Sequence, residues 1–539
     1  MALNSSKEPR QTKKGLLRFQ NLGSAWAVLS LPASDRNQTA CRGRFGPPKA
    51  LEKFVMDRRE FVNKGVLAAL AGGAGSTVST ARANEPGTNP TRKSVKEFGA
   101  IGDGRTDDSA AVEKALASNT GTLVFERGIY KLGRTIVIDL SKRGWTSIDG
   151  TGGARVLMAA AGPAFHFIGT HRGTAEPDSI SKLTWNSERL PLVQNIEILG
   201  GHENAVGLRL ERTLQATLSA VLIRNCSTGI HLVKRNRNLI ISHCHIYRNR
   251  KVGIHFDKVD LHQAIICSNH ISYNPVAGIW LDGGGMRNFQ FVGNDIEYNH
   301  DKELRDCADL LIDMRPEGSS FREGTIAGNT IQARPTPGGA NVRVLGGKGL
   351  LTGGLLAITG NLIGSQTTLL DLADCRGVSI SGNSLYSGME RTLAAKRCAN
   401  LVFSGNSIDW NPGHREKNHD DGIRISDCDG VNLSATILEN SFQGKENRGG
   451  AIEVIGSRDV SISDCQVLDP RHRGIWLENT TRCRVSDCTV IDRRKKKTMK
   501  ASIELAGECQ DNIISGNFIS KDSLAVADKA GLFRDNLEV

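Results

Sequence analysis

The chain has 539 residues and a formal net charge of +12, with abundant glycine (59), modest proline (15) and few aromatics (5%). This composition suits many short strands and tight turns and excludes a collagen-like chain. Residues 1–83 carry 14 Lys/Arg against 5 Asp/Glu, so +9 of the charge lies there and only +3 in the rest; that balanced, aromatic-poor body excludes a nucleic-acid surface built on base stacking.

Residues 1–55 show no hydrophobic periodicity and read as a mis-set start or a disordered leader. Over 56–83, Asp57-Arg58-Arg59-Glu60-Phe61-Val62-Asn63-Lys64 resembles the twin-arginine export motif. The small-residue apolar run from Val66 to Ala74 and an A-x-A-like exit at Ala81-Arg82-Ala83 follow it. The resemblance implies a signal peptide at 56–83, a linker at 84–93 and a periplasmic or secreted mature chain. The apolar run is too short to span a bilayer, so stable membrane insertion is not expected. Without Cys41 the mature chain has 11 cysteines, an odd number that cannot all pair. No C-x-x-C occurs, so cysteine spacing gives no metal site.

The next stretch, Phe98-Gly99-Ala100-Ile101-Gly102-Asp103-Gly104-Arg105-Thr106-Asp107-Asp108-Ser109-Ala110-Ala111-Val112, resembles the opening of the pectate-lyase-like superfamily, which includes polygalacturonases and phage tailspikes. With the repeats below, the resemblance covers 94–520 and implies an all-β chain. The implied fold is a single right-handed parallel β-helix solenoid with a short N-terminal capping helix. It also implies that Asp107 and Asp108 start that helix. Leu123-Val124-Phe125 and Gly128-Ile129-Tyr130 read as the first strands, and 521–539 as a C-terminal cap or tail. The resemblance is specific for fold and poor for chemistry. The polygalacturonase motifs N-T-D, G-H-G and R-I-K are missing, and only Asp420-Asp421 matches its D-D.

Two phrases then repeat. The first has an apolar pair, a small residue, Asn or Cys, and an apolar residue. It reads Ile241-Ser242-His243-Cys244-His245-Ile246, Phe291-Val292-Gly293-Asn294-Asp295-Ile296 and Ile380-Ser381-Gly382-Asn383-Ser384-Leu385, with further copies at Asn269, Asn329, Asn361, Asn406, Cys465, Cys488 and Asn517. The step averages about 27 residues, which suits a coil of three short strands stacked on its neighbours. Asn at that position predicts a ladder of side-chain amides, and Cys226, Cys244, Cys465 and Cys488 read as small apolar fillers. The second phrase alternates strictly, as in Gly229-Ile230-His231-Leu232, Gly253-Ile254-His255-Phe256, Gly278-Ile279-Trp280-Leu281 and Gly474-Ile475-Trp476-Leu477. Such alternation marks a strand buried on one side, with its third residue pointing outward.

Reading two residues beyond that outward position gives a second column, in which Asp257, Asp282 and Asp313 follow on consecutive coils beside His231, His255 and Trp280. Four of the five tyrosines, Tyr247, Tyr273, Tyr298 and Tyr386, fall three or four residues after the Asn/Cys position. The expectation is one edge carrying Tyr, His, Trp and Asp together, with Arg250 and Lys251 in the adjoining turn.

Hydrolysis would use two carboxylates, Asp257 with Asp282 or Asp257 with Asp313. Elimination would use a base such as Tyr273 or His255, with a cation neutralising a uronate carboxylate. Trp280, Trp476, His231, Arg250 and Lys251 would bind substrate, and Asp420 with Asp421 form a reserve catalytic pair beside His419. No cofactor is required, although an acidic ladder could hold Ca²⁺ through oxygen ligands if the enzyme is a lyase.

The residues therefore point to an exported carbohydrate-active enzyme cleaving a polysaccharide, hydrolase or lyase. The alternatives are a non-catalytic glycan-binding surface protein of the same fold and a trimeric tailspike-like subunit. Monomer or trimer, the sugar and any metal stay open.

Overall fold

The structure is a computed structural model that describes residues 93–119, 121–347, 352–413, 419–521, 523–525 and 531–539. The expected leader at 1–55, the export segment at 56–83 and the linker up to residue 92 lie outside the described residues. Those described fall within one compact unit, Pro86–Val539. Among them, no helix is long and apolar enough to cross a membrane.

The chain is a right-handed parallel β-helix. Among the described residues the strands form a 17-stranded sheet and a 29-stranded sheet, and every pairing between strands is parallel, as from Ala205–Glu211 to Thr228–Ser242 and onward through the coil. One turn shows the plan. The short strand His245–Tyr247 belongs to the smaller sheet, and the long strand Val252–Cys267 then supplies two arms. The first arm pairs Val252 to Asp257 with Ala277 to Asp282; the second pairs Leu261 to Cys267 with Met286 to Val292. Each coil thus adds three ladders, and stacked strands rise by about 4.8 Å.

Alternation decides what faces inward. Ile198, Ile223, Ile246, Ile271, Ile296, Ile331 and Ile363 are partners on successive coils and are all fully buried. Each such side chain gains roughly 1.5–3 kcal/mol by leaving water. A one-residue slip would turn the whole row outward, so the register is strongly specified. The 11 described cysteines are free, and all but the half-buried Cys267 are buried.

The expected amide ladder runs through Asn269, Asn294, Asn329, Asn361, Asn383 and Asn406. The Asn269 side-chain oxygen accepts from the Cys244 N–H at 2.9 Å, and each later one from the backbone N–H of the asparagine one coil earlier, at 2.9–3.1 Å. The side-chain amide donates onward to the next asparagine and back to a carbonyl such as Ile266 or Ile358. A second ladder was not anticipated: Asn249, Asn274 and Asn299 bond in the same way and end on Asp309. Its sequence signal is an Asn five residues after Cys244, Asn269 and Asn294.

The N-terminal end is closed by the helix Ser109–Ala117. Asp107 accepts from the Ser109 N–H at 3.0 Å, while Asp108 ties down Ile101 and Gly102 through their N–H groups at 2.7 and 3.1 Å. Gly102 has φ +69°, and a Cβ there would meet the Tyr130 ring at 3.0 Å, so a side chain is doubly disfavoured. At the other end, Gly531–Arg534 and Leu537–Glu538 pair with the preceding coil, so the ladders continue into the segment read as cap or tail.

Candidate active site

The outward face of the first arm carries the candidate site. Strand pairing places His166, Arg209, His231, His255, Trp280 and Leu311 in one column on six consecutive coils. Two residues further along, Glu211, Val233, Asp257, Asp282 and Asp313 form the neighbouring column. The imidazole planes of His231 and His255 stack at 5.4 Å and 15°, and Trp280 continues the stack over His255 at 4.8 Å and 16°.

A diagonal contact repeats along these columns. Nε2 of His231 lies 3.1 Å from Oδ2 of Asp257, and Nε2 of His255 lies 3.4 Å from Oδ2 of Asp282. His166 and Glu211 make the same contact at 3.4 Å. Each imidazole therefore reaches the carboxylate one coil onward. Burial lowers both His231 and His255 below the usual imidazole value, with neighbouring carboxylates opposing the shift. Burial alone would raise the Asp257 carboxyl, but the bond from His231 and the charges of both histidines hold it below the usual carboxylate range. His166 was not anticipated, although it occupies the outward position of an alternating strand; Arg209 was expected to point outward, in the same phrase as His231, but not to belong to the site.

Three expectations need correction. Asp313 is in register with Asp282 but is only 8% exposed, and Arg315 binds both its oxygens, at 2.8 and 2.6 Å. The open part of the acidic ladder is thus Asp257 and Asp282. Trp476 is 4% exposed; the Arg473 guanidinium sits 5.1 Å from its ring, and its N–H donates to Glu478 at 3.0 Å. A sugar cannot stack on a ring covered in this way.

The third correction concerns the single edge, which divides. Tyr273, 49% exposed, stacks on Tyr298 at 5.8 Å and 4°, with Arg248 over the first ring and Arg334 over the second. The recess lined by Tyr273, Pro275, Tyr298, His300, Asp301 and Arg334 shares no residue with the His–Asp columns. Tyr273 and Tyr298 lie in the turn before the first-arm strand, whereas His255 and Asp257 lie within such a strand. Arg250 and Lys251 are exposed in the corresponding turn, where the Arg250 guanidinium donates to the carbonyls of His202, at 3.1 Å, and Asn225.

Trp280 is half-buried against an outward apolar cluster of Val252, Ala277, Ala308 and Leu311, and its indole N–H has no hydrogen-bond partner. The reserve site is a closed one. Asp421 is fully buried, pairs with His419 and accepts from the Gly388 N–H, while Trp410 stacks on His419 at 5.7 Å. Asp420 is half-buried, and burial raises its carboxyl despite Arg391 nearby.

A model of the family described as "Right handed beta helix region" matches residues 186–311 and 414–536. The match and the coil agree on a right-handed parallel β-helix fold. None of the curated proteins matches it by sequence. Similar solved structures include the Azotobacter vinelandii mannuronan C-5 epimerase AlgE4 A-module (14% identity, 82% of this chain and 99% of that one, TM-score 0.35). Another is the tailspike protein of E. coli bacteriophage HK620 in complex with pentasaccharide (12%, 79% and 78%, TM-score 0.47). The catalytic unit of a GH87 alpha-1,3-glucanase from Streptomyces thermodiastaticus is also similar (12%, 85% and 70%, TM-score 0.32). Nothing about this chain's substrate follows from likenesses of that degree.

Proposed function

We propose that this chain is an exported carbohydrate-active enzyme that cleaves an acidic polysaccharide lying along the outward face of the first arm. The observation that carries this reading is the run of Arg209, His231, His255 and Trp280 on four successive coils beside Asp257 and Asp282. A flat parallel ladder repeats its side chains about every 4.8 Å, so it offers an extended polymer the same groups unit after unit. Arg209 suits an acidic sugar, the imidazoles offer hydrogen bonds, and the Trp280 ring offers a stacking surface.

The reaction that suits these residues best is removal of the proton beside a uronate carboxylate, with Asp282 as acceptor and His255 holding it in place. A hydrolytic reading is favoured by one feature: Asp257 and Asp282 are Cα partners on adjacent coils, the closeness that a retaining pair of carboxylates requires. Incubation with acidic and neutral polysaccharides separates the two readings. Unsaturated, ultraviolet-absorbing ends indicate elimination, and reducing ends without that absorbance indicate hydrolysis. Binding without products would overturn the enzymatic reading in favour of a glycan-binding protein. Export rests on Arg58 and Arg59; replacing both with Lys should leave precursor in the cytoplasm, and continued export would refute it.

A further inference from the structure

We infer that His231, His255 and Asp257 bind one divalent transition-metal ion, zinc or a close relative, on the outward face of the coil. One ring nitrogen of each histidine and a carboxylate oxygen of Asp257 lie within 4.8 Å of one another. The His231–Asp257 edge is already 3.1 Å. Two ligands about 2.0–2.1 Å from zinc stand about 3.3 Å apart in a tetrahedron. The remaining edges are at most 4.8 Å, so reaching that length asks about 1.5 Å of side-chain movement.

Three features of the coil favour such a site. The two histidines are Cα partners on adjacent parallel strands, and their rings are held nearly parallel, so their approach is fixed by the backbone. Trp280 packs flat on the outer face of His255 and limits its rotation. With Nδ1 of His255 on the metal, its Nε2–H would be left to donate to Asp282, 3.4 Å away, the carboxylate that commonly orients a metal-bound imidazole. Two nitrogens and one oxygen suit zinc, copper or nickel and not calcium, which takes six to eight oxygens. Near the three ligands, Asp282 adds negative charge, while Arg209 on the preceding coil and Lys258, 3.7 Å from the other oxygen of Asp257, oppose the cation. Binding would displace any proton held between His231 and Asp257, and the ion's remaining positions would open toward the groove for water or a ligand oxygen. That the oxygen belongs to a sugar rests on the function proposed above; the metal site itself does not.

The test is calorimetric titration of chelator-treated protein with Zn²⁺, together with the visible spectrum of the Co²⁺-loaded form. One ion per chain should bind, and excess Ca²⁺ should not displace it. His231→Gln and His255→Gln should each weaken binding by at least about 100-fold. His270→Gln, which alters an exposed His–Asp pair on the other sheet, should leave it unchanged. Asp257→Asn provides a second route should a histidine variant misfold, as judged by circular dichroism. Absence of saturable binding, equal binding by folded variants, or displacement by Ca²⁺ would overturn the inference. Cleavage by metal-free protein would refute the metal's part while leaving the enzyme reading intact, and metal binding without cleavage of any polysaccharide would do the reverse.

Discussion

Asp309 ends the second asparagine ladder, and replacing it with Asn should stabilise the protein in a pH-dependent way. The side chain is fully buried. One oxygen accepts from the backbone N–H and the side-chain amide of Asn299, at 3.0 and 3.1 Å, and the other from the Asn341 amide at 2.9 Å. Burial pushes its carboxyl up from 3.8 to about 8, against the pull of those bonds. Oδ1 of Asn341 is buried without a hydrogen-bond partner. Flipping that amide lets Oδ1 accept the proton of a neutral Asp309, or an N–H from Asn at this position.

The sign follows from the raised value. Below about pH 4 both folded and unfolded chains carry the proton, and the contribution of Asp309 is intact. As pH rises toward 8, the unfolded chain releases the proton first and stability falls by about 1.4 kcal/mol per pH unit. By pH 7 the loss is roughly 4 kcal/mol. Asp309→Asn removes the titration and keeps the ladder. Urea unfolding of both proteins from pH 5 to pH 8 should therefore show a stability difference that widens with pH in favour of the variant. Parallel stability curves, or a variant weaker at every pH, would refute this account of the ladder's end.

Asn383→Leu should cost about 3 kcal/mol in urea unfolding, because it strands the Asn361 N–H and the Ile358 carbonyl in the interior; an unchanged midpoint would contradict the ladder. On a confirmed substrate, Asp282→Asn should abolish turnover with unfolding shifted by less than about 1 kcal/mol, since its carboxylate makes one long contact, 3.4 Å to His255, that an amide can keep. Trp280→Ala should raise KM more than it lowers kcat, which steady-state kinetics would show. Tyr273→Ala, in the separate tyrosine recess, should leave turnover at the His–Asp columns within about two-fold and should weaken binding only of longer chains that reach the recess.

The coil itself was legible in the sequence because its physics is local and repeated. Alternation sorts each strand into an inward and an outward face, and the 25-residue steps from Cys244 to Asn269 and Asn294 set which residues stack. From these alone, His231, His255 and Trp280 fall in one column, and Asp257, Asp282 and Asp313 in the next, as the strand pairing shows. The same 25-residue spacing carries the second asparagine ladder through Asn249, Asn274 and Asn299.

What the tertiary structure decided was access and partnership. Asp313 keeps its register but loses its exposure to Arg315, two residues onward. Trp476 keeps its outward position, yet Arg473, anchored by the carbonyls of Lys445 and Glu446, lies over it. Tyr273 and Tyr298 stand just beyond their short strands, so their rings stack on one another apart from the His–Asp columns, while Tyr247 and Tyr386 end strands of the smaller sheet. A period fixes where a side chain leaves the backbone; which irregular loop or neighbouring cation then covers it depends on contacts that do not repeat.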